Sequence, residues 1–234
     1  MLYSTKGIVL RLVQYKDNSY IAEIYTQRFG KLSFSVHRPQ SKKATIRNYH
    51  LMPFSLLEMQ IEYKENRDIQ KIRETSLSAE SYNVVDSPVK GLVCQFLAEV
   101  VSKSLEHNNA DDQLFDYFTS IVCIISSESN LGTFPLDFLL GYSQYLGIYP
   151  EDGESNEFVR LLSVEDKNLL LSALENTSML NRAERRRVIN ILLKYYQYFL
   201  PSMSAIKSLD VITDILGELF LFCLPRGGDE CSVL

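Results

Sequence analysis

Between Thr5 and Val36 apolar and polar residues alternate with a period of two, and the apolar positions are largely β-branched or aromatic. Ile8, Leu10 and Leu12 share one parity, and Tyr20, Ala22, Ile24 and Thr26 form a second run. After the turn Gln27-Arg28-Phe29-Gly30, where Gly30 can take a positive φ, Lys31 to Val36 alternates again. The spacing predicts three consecutive strands in a meander. Two more strand-like runs follow, Phe54 to Tyr63 and Ile69 to Leu77, parted by the polar turn Lys64-Glu65-Asn66-Arg67-Asp68. Five strands with a longer excursion, His37 to His50, between the third and fourth make an OB-type barrel. An SH3-like barrel uses much the same material, and the alternation does not separate the two.

From about Ser87 the period becomes helical. Ser87-Pro88 is an N-cap followed by proline at the first helical position, and Val89, Leu92, Val93, Phe96, Leu97, Val100 and Val101 recur three and four apart behind it. Further helices are predicted from Asp111 to Ser126 and from Phe134 to Leu146, the latter ended by Gly147 and Pro150. The acidic stretch Glu151 to Glu157 reads as a loop. A fourth helix opens at Ser163 and runs through Leu174, and Asn181 with Glu184 forms a capping box for a fifth reaching Phe199. Ser208 to Phe222 makes a sixth. The fold class is therefore α+β in two domains: a five-stranded OB-type nucleic-acid-binding domain over 1–80 and an all-α domain over 81–222. A tail over 223–234 without periodicity is expected to be loose.

Charge sharpens this division. The whole chain of 234 residues carries −5, but residues 1–75 hold 13 Lys+Arg against 7 Asp+Glu, a balance of +6. The remainder holds 11 against 22, a balance of −11. A basic unit beside an acidic one implies different partners for the two. The excursion concentrates this charge, because Arg38, Lys42, Lys43 and Arg47 fall there with no acid among them. The aromatics Tyr15, Tyr20, Tyr25, Phe34, Tyr49 and Tyr63 are spread among the neighbouring strands, and four of the six are expected to fill the barrel. Cations that follow phosphates and flat rings that stack on bases are what a single-strand binder needs. On that chemistry Arg11, Lys16, Lys31, Arg38, Lys42, Lys43 and Arg47 are the expected phosphate contacts, with Tyr20 or Phe34 as stacking rings. The same charge also suits a protein–protein adaptor whose barrel binds an acidic partner surface.

Several classes are excluded by what the chain lacks. There is no Gly-rich phosphate loop, no G-x-S-x-G and no H-E-x-x-H, so no enzyme is expected. His37, His50 and His107 stand apart, and the four cysteines form no C-x-x-C pair, so neither metal nor cofactor is expected. Cys94 and Cys123 read as core residues of their helices. Cys231-Ser232-Val233-Leu234 has the form of a prenylation box, but no polybasic segment precedes it. No apolar run reaches the length of a membrane span, and the first residues do not form a secretory signal, so a soluble cytoplasmic protein is expected. Arg182, Arg185, Arg186 and Arg187 crowd the start of the fifth helix, where cations oppose the helix dipole. They form either a solvated face bridged to nearby acids or a clamp for an acidic peptide.

Particular residues also resemble a known family. Thr5-Lys6-Gly7-Ile8-Val9-Leu10-Arg11, then Ile24-Tyr25-Thr26 with Phe29-Gly30-Lys31, resemble the amino-terminal domain of the bacterial RecO recombination mediators. So do Pro53 to Glu58 and Ile69-Gln70. Phe138 to Pro150 resembles the segment before that family's zinc module, and Tyr195 to Leu200 with Lys207-Ser208-Leu209 resembles its closing helices. The resemblance covers about residues 1–216 in the family's order. It implies an OB-fold domain followed by a helical domain, binding of single- and double-stranded DNA, and annealing of complementary strands. It further implies action with RecR to load RecA onto DNA coated by single-strand binding protein (SSB), in the bacterial cytoplasm at the nucleoid. Arg182, Arg185, Arg186 and Arg187 are then candidates for the acidic SSB tail. Many relatives carry two C-x-x-C pairs between the counterparts of Pro150 and Ser163. Here that stretch has no cysteine, and zinc is not carried over.

Overall fold

The computed structural model describes residues 1–17, 19–37, 48–85, 87–128, 130–150, 156–203 and 206–209, with backbone alone at 48, 49 and 83–85. Among the described residues its five strands are β1 (Leu2–Lys16), β2 (Ser19–Thr26), β3 (Gly30–His37), β4 (Leu56–Glu62) and β5 (Ile69–Leu77). They close into a barrel in the order β1-β2-β3-β5-β4. The long β1 serves two neighbours, pairing with β4 from Leu2↔Glu62 to Ile8↔Leu56 and with β2 from Gly7↔Thr26 to Lys16↔Ser19. The barrel closes through a parallel pair, β3 with β5, from Ser33↔Ile69 to Ser35↔Lys71. This connectivity is that of an OB barrel, which the alternation alone left open against an SH3-like one.

Val9, Ala22, Ile24, Leu32, Phe34, Val36, Leu57, Met59 and Ile61 fill the barrel. The register jumps from Val9↔Ile24 to Arg11↔Glu23, so Leu10 is the extra residue of a β-bulge. The bulge breaks the shared parity read from Ile8, Leu10 and Leu12. Ile8 and Leu10 join the helical core together with Tyr25, Phe54 and Leu56, whereas Leu12 is exposed.

The helices are α1 (Ala79–Val85), α2 (Pro88–Ser104), α3 (Asp112–Ser127), α4 (Phe134–Tyr145), α5 (Glu157–Leu161), α6 (Val164–Glu175) and α7 (Arg182–Phe199). Their starts are capped as the side chains dictate, by Ser87 on α2, Asp111 on α3, Ser163 on α6 and the Asn181/Glu184 box on α7. At the end of α4, Gly147 (φ +67°) lets its own N–H reach the Gln144 carbonyl and the Ile148 N–H reach that of Ser143, a Schellman closure. The short α1 and α5 show no periodicity to read in the sequence, since each is under two turns. The predicted sixth helix, beyond Leu209, and the tail lie outside the described residues. Among the described residues no helix is long and apolar enough to cross a membrane.

Two lysines act as helix ends. Lys90 on α2 donates to the Ser126 carbonyl in the last turn of α3 at 2.6 Å. Lys31, on β3, reaches the end of α2, where its Nζ donates to the Ser102 carbonyl at 2.9 Å and to that of Leu105. A cation there satisfies orphan carbonyls and complements the helix dipole. Next to Lys31, Gly30 (φ +69°) lies so close to Asn109 that a Cβ would overlap the Asn109 main chain. Asn108 donates its N–H to the Lys31 carbonyl at 3.2 Å, and Ser102 Oγ donates to Glu23 Oε2 at 2.7 Å. Phe29-Gly30-Lys31 is thus the latch by which the barrel is docked on α2 and the segment leading to α3.

Glu99 ties down the far end of the described chain. Its carboxylate accepts from Lys103 Nζ (2.7 Å), the Lys207 N–H (2.9 Å), the Ser208 N–H (2.9 Å) and Ser208 Oγ (2.7 Å). Burial alone would raise its pKa, but these donors outweigh it and bring it from 4.5 to about 2. The folded value is depressed, so the stabilisation is fully present above pH 4.5 and fades as pH falls towards 2. Glu99→Gln is expected to cost about 1–2 kcal/mol at pH 7 after allowance for solvent screening. Urea denaturation of the two chains should converge as pH is lowered; an unchanged gap at pH 3.5 would remove Glu99 as the cause.

Candidate nucleic-acid interface

The distal part of β1 is exposed on both faces from Arg11 to Lys16, and there it pairs only with β2. A 15-residue strand whose first half is shared with β4 overshoots that neighbour, so from Arg11 onward β1 is the outer strand of a β1–β2 ribbon backed by β3, which pairs with β2 along its whole length. Arg11 lies opposite Glu23 on the outer face, and Val13 opposite Ile21. Tyr20 pairs with Gln14 on one side and Val36 on the other, on the parity that enters the barrel, and is half-buried at its mouth. Tyr15 is 63% exposed, and Lys16 Nζ sits 5.5 Å from the centre of its ring.

The basic excursion leaves the barrel beside this ribbon, because His37, its first residue, pairs with Ser19 at the turn end of the β1–β2 hairpin. Arg38, Lys42, Lys43 and Arg47 lie outside the described residues. The excursion re-enters at a 3-10 turn, Asn48–Leu51, fixed by Leu51 in the barrel core and by His50 Nδ1 at 3.0 Å from Thr75 Oγ1.

Two of the expected phosphate and base contacts are corrected. Phe34 is fully buried, packed across from Ala22 inside the barrel, and cannot stack on a base. Lys31 is 6% exposed and its ammonium is spent on the end of α2. Burial lowers its pKa, while Glu23 and Glu106 oppose the shift. Alternation makes Lys31 an outward residue, and it is one; the outward side at this position is covered by the helical domain. Of the other aromatics, Tyr25 faces the helices, within 6.2 Å of Phe115 and 5.6 Å of Phe118. Tyr63 stacks on Phe29 at 4.2 Å against the barrel core. Tyr15 is the ring that the strand pattern undervalues. Its exposure follows from the overshoot of β1, and the only sign in the sequence is its position beside Lys16 next to a turn.

On the helical side the arginine cluster divides. At 100° per residue Arg182, Arg185 and Arg186 share one face of α7, and Arg187 points elsewhere. Arg187 bridges to Asp166 at 2.5 Å and Glu165 at 3.2 Å, the acids of the first turn of α6. Arg185 donates to the Leu180 carbonyl at 2.7 Å. Cys94 is buried, which pushes its thiol up to about 12, but Cys123 is exposed on the outer side of α3 and is not the core residue expected. Among the described residues no group of three or more His, Cys, Asp or Glu is arranged to hold a metal. Between Pro150 and Ser163 there is neither cysteine nor histidine, so the thiolate and imidazole ligands of a structural zinc site are missing from that stretch.

An OB barrel with a basic exposed ribbon, latched to an all-α unit, defines a class of two-domain proteins built around an oligonucleotide-type barrel. Residues 1–80 match the family model described as recombination protein O, N terminal. The chain is 30% identical over 239 residues to the DNA repair protein RecO of Azobacteroides pseudotrichonymphae genomovar. CFP2, covering 92% of this chain and 99% of that one. It is 30% identical over 240 residues to the RecO of Bacteroides fragilis strain YCH46 and 23% identical over 242 residues to that of Flavobacterium psychrophilum, with the same coverage. The chain belongs to the RecO family, a family of DNA repair and recombination proteins.

Proposed function

We propose that the chain is a recombination mediator that binds single- and double-stranded DNA and anneals complementary strands. With RecR it helps load RecA onto SSB-coated DNA, without itself catalysing a reaction. The observation that carries this is the β1–β2 ribbon, which exposes Arg11, Tyr15 and Lys16 with Tyr20 near its turn. The segment bearing Arg38, Lys42, Lys43 and Arg47 begins beside it. Phosphates would follow the cations while bases rest on the two tyrosines. A cationic surface also lowers the repulsion between two polyanions, which is what annealing requires. In this reading the barrel, about residues 1–80, meets the DNA, and the helical domain meets the acidic SSB tail through Arg182, Arg185 and Arg186.

Fluorescence anisotropy of a labelled single-stranded oligonucleotide across a salt series tests it. Affinity is expected to fall linearly in log salt, and Lys42→Glu/Lys43→Glu/Arg47→Glu should flatten the slope by about 3, roughly 1 for each phosphate that is no longer neutralised. In the same instrument a labelled SSB-tail peptide should lose affinity on Arg182→Glu/Arg186→Glu while the DNA slope stays put. Absence of oligonucleotide binding at low salt would overturn the DNA reading and favour an adaptor whose basic barrel meets an acidic protein surface.

A further inference from the structure

The ribbon also presents an open sheet edge. The last β4-side hydrogen bonds of β1 are Val9 N–H to the Ser55 carbonyl at 3.0 Å and Phe54 N–H to the Val9 carbonyl at 2.7 Å. There the chain before β4 turns away at Phe54, a buried non-glycine residue at φ 60°. From Arg11 onward one edge of β1 pairs with β2, and among the described residues nothing pairs with the other. In an antiparallel ladder alternate residues direct both N–H and C=O to the same side, so this edge carries unused donors and acceptors at regular spacing. Edge strands are usually blunted by charge, proline or a covering element. Here the edge is apolar at its centre, with Leu12 36%, Val13 38% and Tyr15 63% exposed. Arg11 and Lys16 flank it, and the bulges at Leu10 and Tyr15 bracket the regular run from Arg11 to Gln14.

We propose that this edge of β1 is a docking site for an extended acidic segment of a partner protein, which adds to the barrel as a further antiparallel or parallel strand. A ladder of N–H and C=O groups is complemented by another polypeptide backbone, which a nucleic acid does not have. The apolar centre selects a segment with apolar residues at alternate positions. Charge selects an acidic one, because the barrel half of the chain has a balance of +6. The same charge disfavours a second copy, whose docking edge to edge would bring two such barrels together.

The test supplies the strand in the same molecule, so that weak pairing is visible at high effective concentration. A probe of four Glu-Val repeats is fused to Met1 of the full chain through a Gly/Ser linker of about 30 residues, a span of roughly 30 Å. Hydrogen exchange at the amides of Leu12 to Gln14 is then compared with that of the chain carrying the linker alone. The expected result is at least tenfold slower exchange at one or more of these amides. The protection should disappear for a Glu-Pro probe, which cannot donate on alternate positions, and weaken for a Lys-Val probe. No protection by Glu-Val, or equal protection by all three probes, overturns the proposal. Protection that grows with protein concentration in the linker-only chain assigns the edge to a second copy. Protection produced by an added single-stranded oligonucleotide but not by Glu-Val assigns it to DNA, and either result overturns the proposal as well.

Discussion

Gly30→Ala is expected to destabilise the chain by about 3 kcal/mol, against about 1 kcal/mol for Gly147→Ala. Both glycines hold nearly the same left-handed φ, +69° and +67°, so the backbone strain a Cβ introduces is the same at each. Their surroundings differ. A Cβ on Gly147 would have nothing within 4 Å of it, whereas the place of a Cβ on Gly30 is already taken by the carbonyl carbon and oxygen of Asn109. Main chain cannot rotate aside as a side-chain tip can, so relief has to come from moving the 107–111 segment off the barrel. That movement would loosen the Asn108 N–H to Lys31 carbonyl bond and the approach of Tyr25 Oη to Asp111. For a chain of this length the difference amounts to a melting temperature lower by several degrees, at about 2–4 °C per kcal/mol. Calorimetry on the two variants decides it. Equal losses would show that the barrel does not rest on Asn109.

Lys31→Met is expected to cost about 1–3 kcal/mol while leaving the salt slope of DNA binding where it was. Methionine keeps the length and apolar stem of the side chain and removes the three N–H donors. The Ser102 and Leu105 carbonyls at the end of α2 then face a buried thioether. Relief of the desolvated charge offsets part of this loss, which keeps the figure below that of two charged hydrogen bonds. Lys16→Met is the informative contrast. Its ammonium is exposed on the ribbon, so it should leave urea stability unchanged within about 0.5 kcal/mol and flatten the salt slope by about 1. A flattened slope for Lys31→Met with intact stability would return Lys31 to the DNA-facing surface and undo the latch.

These two residues also show what the short words quoted from the sequence do in the fold. Phe29-Gly30-Lys31 combines a turn, a glycine that main chain crosses closely and a cation that ends a helix of the other domain. Ile69-Gln70 behaves similarly. The Gln70 amide accepts from the Lys64 N–H and donates to the Lys64 carbonyl, both at 2.9 Å, and so fixes the loop between β4 and β5. Lys207-Ser208 supplies the N–H groups that Glu99 binds. These words hold the two domains and their loops in place.

Local physics was readable along the chain. Alternation located the strands, three- and four-residue spacing located the main helices, and the caps Ser87 and Asn181 with Glu184 marked helix starts, because each depends on neighbours within a turn. The sign change in charge between the barrel half and the helical half was equally plain. What lay beyond the sequence depended on distant residues meeting. Ile8 and Leu10 face the helical core, whereas the bulge at Leu10 turns Leu12 to the side of Ala22, where it is exposed because β1 has by then parted from β4. Lys31 was outward in its strand yet buried, because an outward side chain on a barrel is solvated only where no second domain covers it. Tyr15 was exposed for the converse reason: its strand continues past the barrel, and only the closed pairing of β1 with both β2 and β4 shows where the barrel stops.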